Sequence, residues 1–356
     1  MILVDGAMGE GGGQVLRTSL ALSLVTGLPF RIERIRAGRP RPGLAAQHLR
    51  SVEAAAAAGG ARVEGASKGS AALTFAPRGV SPGDYHFDVG TAGAASLVLQ
   101  TVALPLALAE GASTVGVTGG THVPWSPSAH YLERQWAWAL EQVGARLEVR
   151  LARAGFYPRG GGEITARIEP VRGFRPVRWI EPGRLLGVSG ISAVANLDPS
   201  IAARQARRAR ERLAGLGVPV AVDVQSIDAP SPGTFLFLEA AFEHARCCAT
   251  GLGERGKPAE RVADEAADEI AAFVGSGAAV DPHLADQLLL PLCLAAGESA
   301  FTTARVTRHL TTNAAVVRHF LPGAAVEVEG AEGEPGRVRV VPFRAGVRAV
   351  GEGKET

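Results

Sequence analysis

"LSLVTGLPFRIERI" at residues 22–35 and "LPLALAEGASTVGV" at residues 104–117 decide the fold, because they are two renderings of one pattern. In each, apolar residues at helical spacing run to a glycine and an alternating strand follows. The glycines, Gly27 and Gly111, stand 84 positions apart, and 33 residues beyond each come Gly60 in "GARVEG" and Gly144 in "GARLEV". A shorter third copy starts at "LPLCLAAGESAFTTARV", residues 290–306, around Gly297, and closes in "LPGAAVEVEG" at Gly323, 26 residues on. Chance could supply one such match in an alanine-rich chain, but not readily two at identical spacing, so the sequence predicts three units of helix, strand, loop, helix, strand. Positions at equal offset are then equivalent. Twelve residues after the glycines stand Arg39, Val123 and His309; eleven before them stand Leu16, Gln100 and Asp286. Gln100 and Asp286 thus sit on otherwise apolar helices, where a polar side chain needs a partner or a purpose.

Between the second and third units, from Leu185 to Val280, the text changes. Asp198 reads as a helix N-cap with Pro199 at the first helical position, and Gly215 or Gly217 reads as the stop. The strand-like "VPVAVDVQSI" and "TFLFLEAAF" follow, then the helix "AERVADEAADEIAAFV". The expectation is a repeat domain over 1–184 and 281–356, with two strands and two helices of a small α/β domain inserted at 185–280.

Composition sets outer limits. With 356 residues, 46% hydrophobic and 20% charged, the chain suits a folded protein of about two domains. Disorder is expected only in the tail "GVRAVGEGKET". The net charge of +2 leaves no global footprint for nucleic acid, so a polyanion must meet a local basic surface. Two stretches qualify: "RIERIRAGRPRPGLAAQHLR", with six arginines against one glutamate, and "ARQARRARERL", with five against one. Cys247, Cys248 and Cys293 are too few and wrongly spaced for a disulfide framework or a four-ligand zinc site. With no signal-peptide pattern and no apolar run of ~20 residues, the expected place is a reducing cytoplasm, without a membrane.

Several motifs carry chemistry. "GEGGGQVLR", residues 9–17, joins the strand "MILVDGA" to an apolar helix, and glycines there let backbone N–H groups approach an anion at the helix N-terminus. No Gly-Lys-Ser/Thr follows, so this is not a Walker loop. Glu10 would repel a phosphate unless a divalent cation lay between them; equally, it could simply meet the helix dipole in a tight turn. Arg36, Arg39 and Arg41 share a junction with Pro40, Pro42 and Gly43, a rigid turn that would aim guanidinium forks at phosphate, though solvated surface charge remains open. Gln47 and His48 open the next helix. The second glycine triplet, "GFYPRGGGE" at 155–163, reads as a bulged turn.

His309 follows the alternating strand in "FTTARVTRHLTTN", residues 301–313, at what reads as a strand end. A histidine there is commonly structural, but this one shares the repeat position of Arg39. Thr307, Thr311, Thr312 and Asn313 surround it with groups able to hold one ring tautomer. No serine elbow or HExxH accompanies it, which leaves a nucleophilic or acid–base histidine near bound phosphate.

With these residues assembled, the chain resembles the RNA 3′-terminal phosphate cyclase family along most of its length. The likeness rests on "DGAMGEGGGQVLR", "IRAGRPRPGL" with "QHL", "GGTHVPWSP", "GFYPRGGGE", "ADQLLLP" and "HLTTNAAVV". It implies an α/β (α+β) fold of three repeated units, as in the enolpyruvyl transferases, with a small inserted α/β domain. The implied activity is ATP-dependent conversion of an RNA 3′-phosphate to a 2′,3′-cyclic phosphate, through an AMP linked to His309 and then an RNA-adenylate. The resemblance also implies a divalent cation, Mg or Mn, at Glu10; Arg17, Arg36, Arg39, Gln47 and His48 around the phosphates and the RNA end; and Gln100, Pro127, Asp286 and Gln287 in the nucleotide pocket. His283 departs from the family, standing where some members carry an aromatic that packs the base. The implied partners are RNA with a 3′-phosphate and ATP, and a homodimer stays open. A non-catalytic RNA-binding branch active in ribosome assembly is the alternative, against which the retained Glu10, Arg17 and His309 argue. An enolpyruvyl transferase would need six units where this chain has about three.

Overall fold

The computed structural model describes residues 1–343; the C-terminal tail, expected to be disordered, lies outside them. The first unit runs β1 (Ile2–Asp5), α1 (Gly13–Thr26), β2 (Phe30–Glu33), α2 (Ala46–Gly59), β3 (Arg62–Glu64) and β4 (Leu73–Ala76). The second runs β5 (Asp84–Asp88), α3 (Ala95–Ala107), β6 (Ser113–Gly119), α4 (129–142, with a π-helical turn at Leu132–Trp136), β7 (Leu147–Arg153) and β8 (Gly162–Ile168). In both, the first strand pairs in parallel with the second, and the second and third flank the fourth antiparallel, giving orders β1-β2-β4-β3 and β5-β6-β8-β7.

The third unit repeats that order but is split in sequence. Its first strand, β9 (Arg178–Trp179), lies before the insertion. Its remaining elements follow it: α7 (Leu284–Gln287), α8 (Leu289–Cys293), β14 (Ser299–Thr303), α9 (Arg308–Phe320), β15 (Ala325–Glu329) and β16 (Gly336–Val341). The sheet order β9-β14-β16-β15 is that of the other two. Three corrections follow. Each unit adds a leading parallel strand and a second hairpin strand to the two helices and two strands expected. The insertion interrupts the third unit rather than separating it from the second. The apolar segment around Asp286, expected as one helix, is two short turns meeting at Leu288.

The inserted stretch also holds more than expected. Besides β11 (Val220–Ser226) and β12 (Gly233–Phe242), it contains β10 (Leu185–Ala195) and β13 (Arg246–Leu252), ordered β11-β10-β12-β13. Helices α5 (Ser200–Leu213) and α6 (Ala259–Ser276) cover one face, where Ala206, Ala209, Leu213, Val262, Ala266 and Ile270 form a separate core with Leu236 and Leu238. The other face, through Ala193, Phe235 and Phe237, joins the main core. The cap position of α5 is Pro199, one residue later than expected, and Asp198 stands just before it, its Oδ1 accepting from the Ser200 N–H at 2.8 Å. The three cysteines are free and buried. Among the described residues, no helix is long and apolar enough to cross a membrane.

In the repeat domain the helices face inward, α1 packing against α2, α3 and α9. Buried Leu16, Leu20, Val98, Val102, Leu289 and Val317 belong to one continuous core. Burial of each such side chain stabilises by about 1.5 to 3 kcal/mol. Where the three helix systems meet, one cleft opens.

Candidate active site

Equivalent parts of the three units line this cleft, about 840 Å³ in volume. The first helix of each unit contributes one wall: Gln14, Arg17 and Thr18 from α1, Gln100 from α3, Asp286 and Gln287 from α7. The connection after the second strand of each unit contributes the other. Unit one supplies Arg36 and Arg39, unit two Trp125, Ser126 and Pro127, unit three Arg305, Thr307 and His309. With Glu10, Gln47, His48 and His283, all twelve residues singled out in the sequence lie around one space. Of the basic turn, Arg41 alone does not line it, and neither does the 155–163 triplet, which is the turn between β7 and β8.

The glycine run shapes the floor. Gly9 and Gly11 have φ of 55° and 63°, a left-handed conformation that side chains rarely adopt. Helix α1 starts after Gly12 with no side-chain cap, and Gly12 and Gly13 line the cleft, which puts the helix N-terminus at its floor. At Gly13 a Cβ would come within 2.3 Å of the His48 Nε2 and 2.8 Å of an Arg17 guanidinium nitrogen. Glycine is needed there for close approach. The His48 Nδ1 accepts the Ala45 N–H at 3.1 Å, so the ring's proton belongs on Nε2, facing the cleft. Burial first, then Arg17 and Arg36, hold His48 down to about 3, a neutral hydrogen-bond donor at physiological pH.

The cations sit among few acids. Burial lowers Arg17 to about 10, so it stays protonated, and it makes no ion pair among the described residues. Arg36, whose own φ is 52°, donates to the Gly43 carbonyl at 2.9 Å, which fixes the turn around Pro40 and Pro42. Arg39 pairs with the Glu10 carboxylate. Behind them the Asp286 carboxylate accepts from Gln14 Nε2 at 2.6 Å and from Asn313 Nδ2 at 3.3 Å. Burial pushes Asp286 up to about 7 against the opposing pull of His283, Gln14 and Arg17.

His309 is placed differently from the expectation. Strand β14 ends at Thr303, four residues separate it from the helix, and His309 is the second residue of α9. Thr307 is the N-cap, its hydroxyl accepting from Leu310 N–H at 3.1 Å. The surrounding polar groups are engaged elsewhere: Thr311 and Thr312 donate to the Arg308 carbonyl, and Asn313 bonds Thr18 and Asp286. None holds the His309 ring, so the expected fixing of its tautomer is not seen. His309 is only partly shielded from solvent, and that partial burial, then Arg17, His283 and Arg39, lower its pKa. An imidazole so placed is a free base at pH 7.

The nucleotide-pocket candidates form a chain. Gln100 Nε2 donates to Gln287 Oε1 at 2.8 Å, and Gln287 Nε2 donates to the His283 carbonyl at 2.7 Å. The exposed His283 ring bonds Glu269 at 3.1 Å, and that bond raises its pKa to about 9, with solvent at the ring screening the pair. Cys248, Thr250 and Glu269, from the stretch between the halves of unit three, also line the cleft, and no motif in the sequence marks them. Thr250 Oγ1 bonds Ser128 Oγ at 2.9 Å across the seam. Nothing in the amphipathic helix α6 sets Glu269 apart from its other acids. Gln14, by contrast, carries the same signal as Gln100, a polar side chain on an apolar helix, and the repeat offsets passed it by. Its Oε1 is buried without a partner among the described residues.

A family model, that of RNA 3′-terminal phosphate cyclase, matches residues 8–327. The chain belongs to the RNA 3′-terminal phosphate cyclase family. The RNA 3′-terminal phosphate cyclase of Methylococcus capsulatus is 47% identical, over 98% of this chain and 98% of its own. That of Ralstonia nicotianae is 49% identical over 90% and 92%, and that of Thermococcus onnurineus 45% identical over 96% and 99%. Among solved structures, EPSP synthase from Acinetobacter baumannii matches over 92% of this cyclase-family chain and 63% of its own, at 12% identity and a TM-score of 0.29.

Proposed function

We propose that this protein is an ATP-dependent RNA 3′-terminal phosphate cyclase working through a histidine-linked AMP. The observation that carries the reading is His309: an exposed, neutral imidazole at a helix N-terminus, on the rim of a cleft that also presents Arg17, Arg36 and Arg39. Its free nitrogen attacks the α-phosphorus of ATP, and the bond to pyrophosphate breaks. An oxygen of the RNA 3′-phosphate then displaces the histidine from AMP. Attack of the neighbouring 2′-hydroxyl on that 3′-phosphate, with loss of its proton, expels AMP and closes the cyclic phosphate. Arginine forks and the His48 Nε2–H suit the charge that accumulates on phosphoryl oxygens in each step. Gln100, Pro127, His283, Asp286 and Gln287 form the pocket for the nucleotide, Gln47 the approach to the RNA end.

Glu10 fits a divalent cation of the Mg or Mn class. It is a single carboxylate, and no cluster of three or more His, Cys, Asp or Glu suited to a metal exists among the described residues. Such a donor set suits an ion whose other ligands are phosphate oxygens and water. When bound, the cation neutralises triphosphate charge; the pairing of Glu10 with Arg39 would then loosen. Residues 185–280 act in this reading as an inserted domain that closes one side of the cleft, and the enzyme works in the cytoplasm.

The test is incubation with α-labelled ATP followed by a 3′-phosphorylated oligoribonucleotide. Acid-labile, alkali-stable label on the protein, chased into AMP as a 2′,3′-cyclic end appears, is expected. RNA binding without label would leave only the non-catalytic alternative.

A further inference from the structure

Trp125 has no role in this reaction so far, and its placement is unusual. It is fully exposed, 100%, on the rim of the cleft, whereas Trp136 is buried and Trp138 and Trp179 are half-buried against each other. Its φ is 65°, in the left-handed region that bulky side chains rarely enter. Such strain persists where the surroundings impose it, and these do. Pro124 and Pro127 bracket the loop; Ser126 Oγ donates to the Val123 carbonyl at 3.0 Å; and Ser128 caps α4 at the Tyr131 N–H, 3.2 Å away, while reaching Thr250. A fully exposed indole thus stands on a stiff stretch of backbone.

The repeat says what this loop is for. It corresponds to the connection that carries Arg36 and Arg39 in unit one and the one that leads to His309 in unit three. At the position of Arg39 and His309, unit two has buried Val123 and offers no chemistry. What it offers the cleft is an aromatic face. Arg305, exposed on the rim and without an ion pair among the described residues, adds positive charge. An aromatic surface beside unpaired arginines is the composition of a single-strand nucleic-acid platform.

We propose that Trp125 is a stacking platform for a base near the 3′ end of the RNA substrate. A polynucleotide, unlike ATP, must leave the cleft over its rim, and Trp125 stands there. This rests on the cyclase reading above. Stacking tolerates any base, because every base has a π-face, so the platform would align RNA ends without sequence preference.

The experiment measures single-turnover cyclisation by pre-adenylylated enzyme as a function of the concentration of a 3′-phosphorylated oligoribonucleotide. Label transfer from ATP in the wild type tests the cyclase reading separately. For Trp125→Ala, half-saturation by RNA is expected to rise roughly five- to hundredfold, with the limiting rate much less affected. Trp125→Phe should restore most of the loss. An oligonucleotide carrying abasic residues near its 3′ end should erase the difference between wild type and Trp125→Ala. Quenching of indole fluorescence by RNA in the wild type should be reduced in Trp125→Phe. Equal half-saturation in wild type and Trp125→Ala overturns the proposal. So does a loss that falls on ATP half-saturation instead, which would make Trp125 an adenine contact.

Discussion

Two residues carry the chemistry proposed for the cleft, and each has its own measurable signature. His309 is exposed and its ring holds nothing together, so His309→Ala should abolish protein-bound label while leaving thermal unfolding unchanged. Label at the wild-type level on another histidine would remove it from the mechanism. The same residue fixes a pH dependence. Burial and the nearby cations depress its pKa below the ordinary 6.5, so the reactive free base should persist to more acid pH than a free imidazole allows. The acid limb of the adenylylation rate is expected below pH 6.5, and to move upward in Arg17→Gln, because a positive charge opposing protonation is gone. A limb at or above 6.5 in the wild type would contradict the environment described. Glu10 is tested by the metal instead. Glu10→Ala should flatten the metal titration of adenylylation and slow it by more than about tenfold, with little change in stability. An unchanged titration would return Glu10 to the role of partner for Arg39.

Elements are legible where their periodicity is long and opaque where it is short. Helices α1 and α3 show themselves through apolar spacing ended by Gly27 and by the turn at Gly111, and from them comes the repeat. Strand β9, two residues pairing only with Ala300 and Phe301, has no period to read, so the split in the third unit is invisible in the sequence. The alternation of "FTTARV" points to a strand end at His309; yet Thr307 followed by Leu310, Ala314, Val317 and Phe320 is an N-cap before an amphipathic helix, and that signal is equally present. The site is legible as residue types in matching loops. Its seam with the insertion is not, because that depends on tertiary contacts alone. At this seam the π-helical turn of α4 carries Arg134, which meets buried Glu239 of β12 at 2.8 Å, with Arg246 of β13 at 3.3 Å. Gln135 in the same turn donates to the Arg246 carbonyl and to Asp281. Glu239→Ala leaves two arginines facing each other, and the expected loss is about 1.5 to 3 kcal/mol, since both keep partial contact with water. Chemical denaturation measures it, and a loss under about 0.5 kcal/mol would mean that apolar packing alone docks the insertion.

Over the whole molecule, the placement of charge distinguishes two surfaces that composition puts on equal terms. Both arginine-rich stretches qualify as nucleic-acid footprints by residue count. In the fold, the "ARQARRARERL" helix α5 lies alongside acidic α6, and its arginines pair across at a constant separation of 56 residues: Arg204 with Glu260, Arg208 with Asp264, Arg212 with Asp268. Arg210 donates to the Val222 carbonyl, and Arg207 lies near Glu211. The local field of this helix is largely cancelled, and its charges serve the packing of the insertion. At the cleft the balance is opposite, because Arg17, Arg36 and Arg305 have no ion pair among the described residues. Phosphate binding releases counterions in proportion to the charge left free, so the salt dependence of RNA affinity shows which surface is used. Replacing Arg208 and Arg212 with glutamine should lower the melting temperature but leave the slope of log Kd against log salt where the wild type has it. Replacing Arg36 and Arg305 should reduce that slope by about one to two, at roughly 0.7 for each phosphate of a single strand that is no longer neutralised. Should the helix α5 variant lose slope while the cleft variant keeps it, RNA approaches over the insertion, and the cleft arginines serve the ATP phosphates alone.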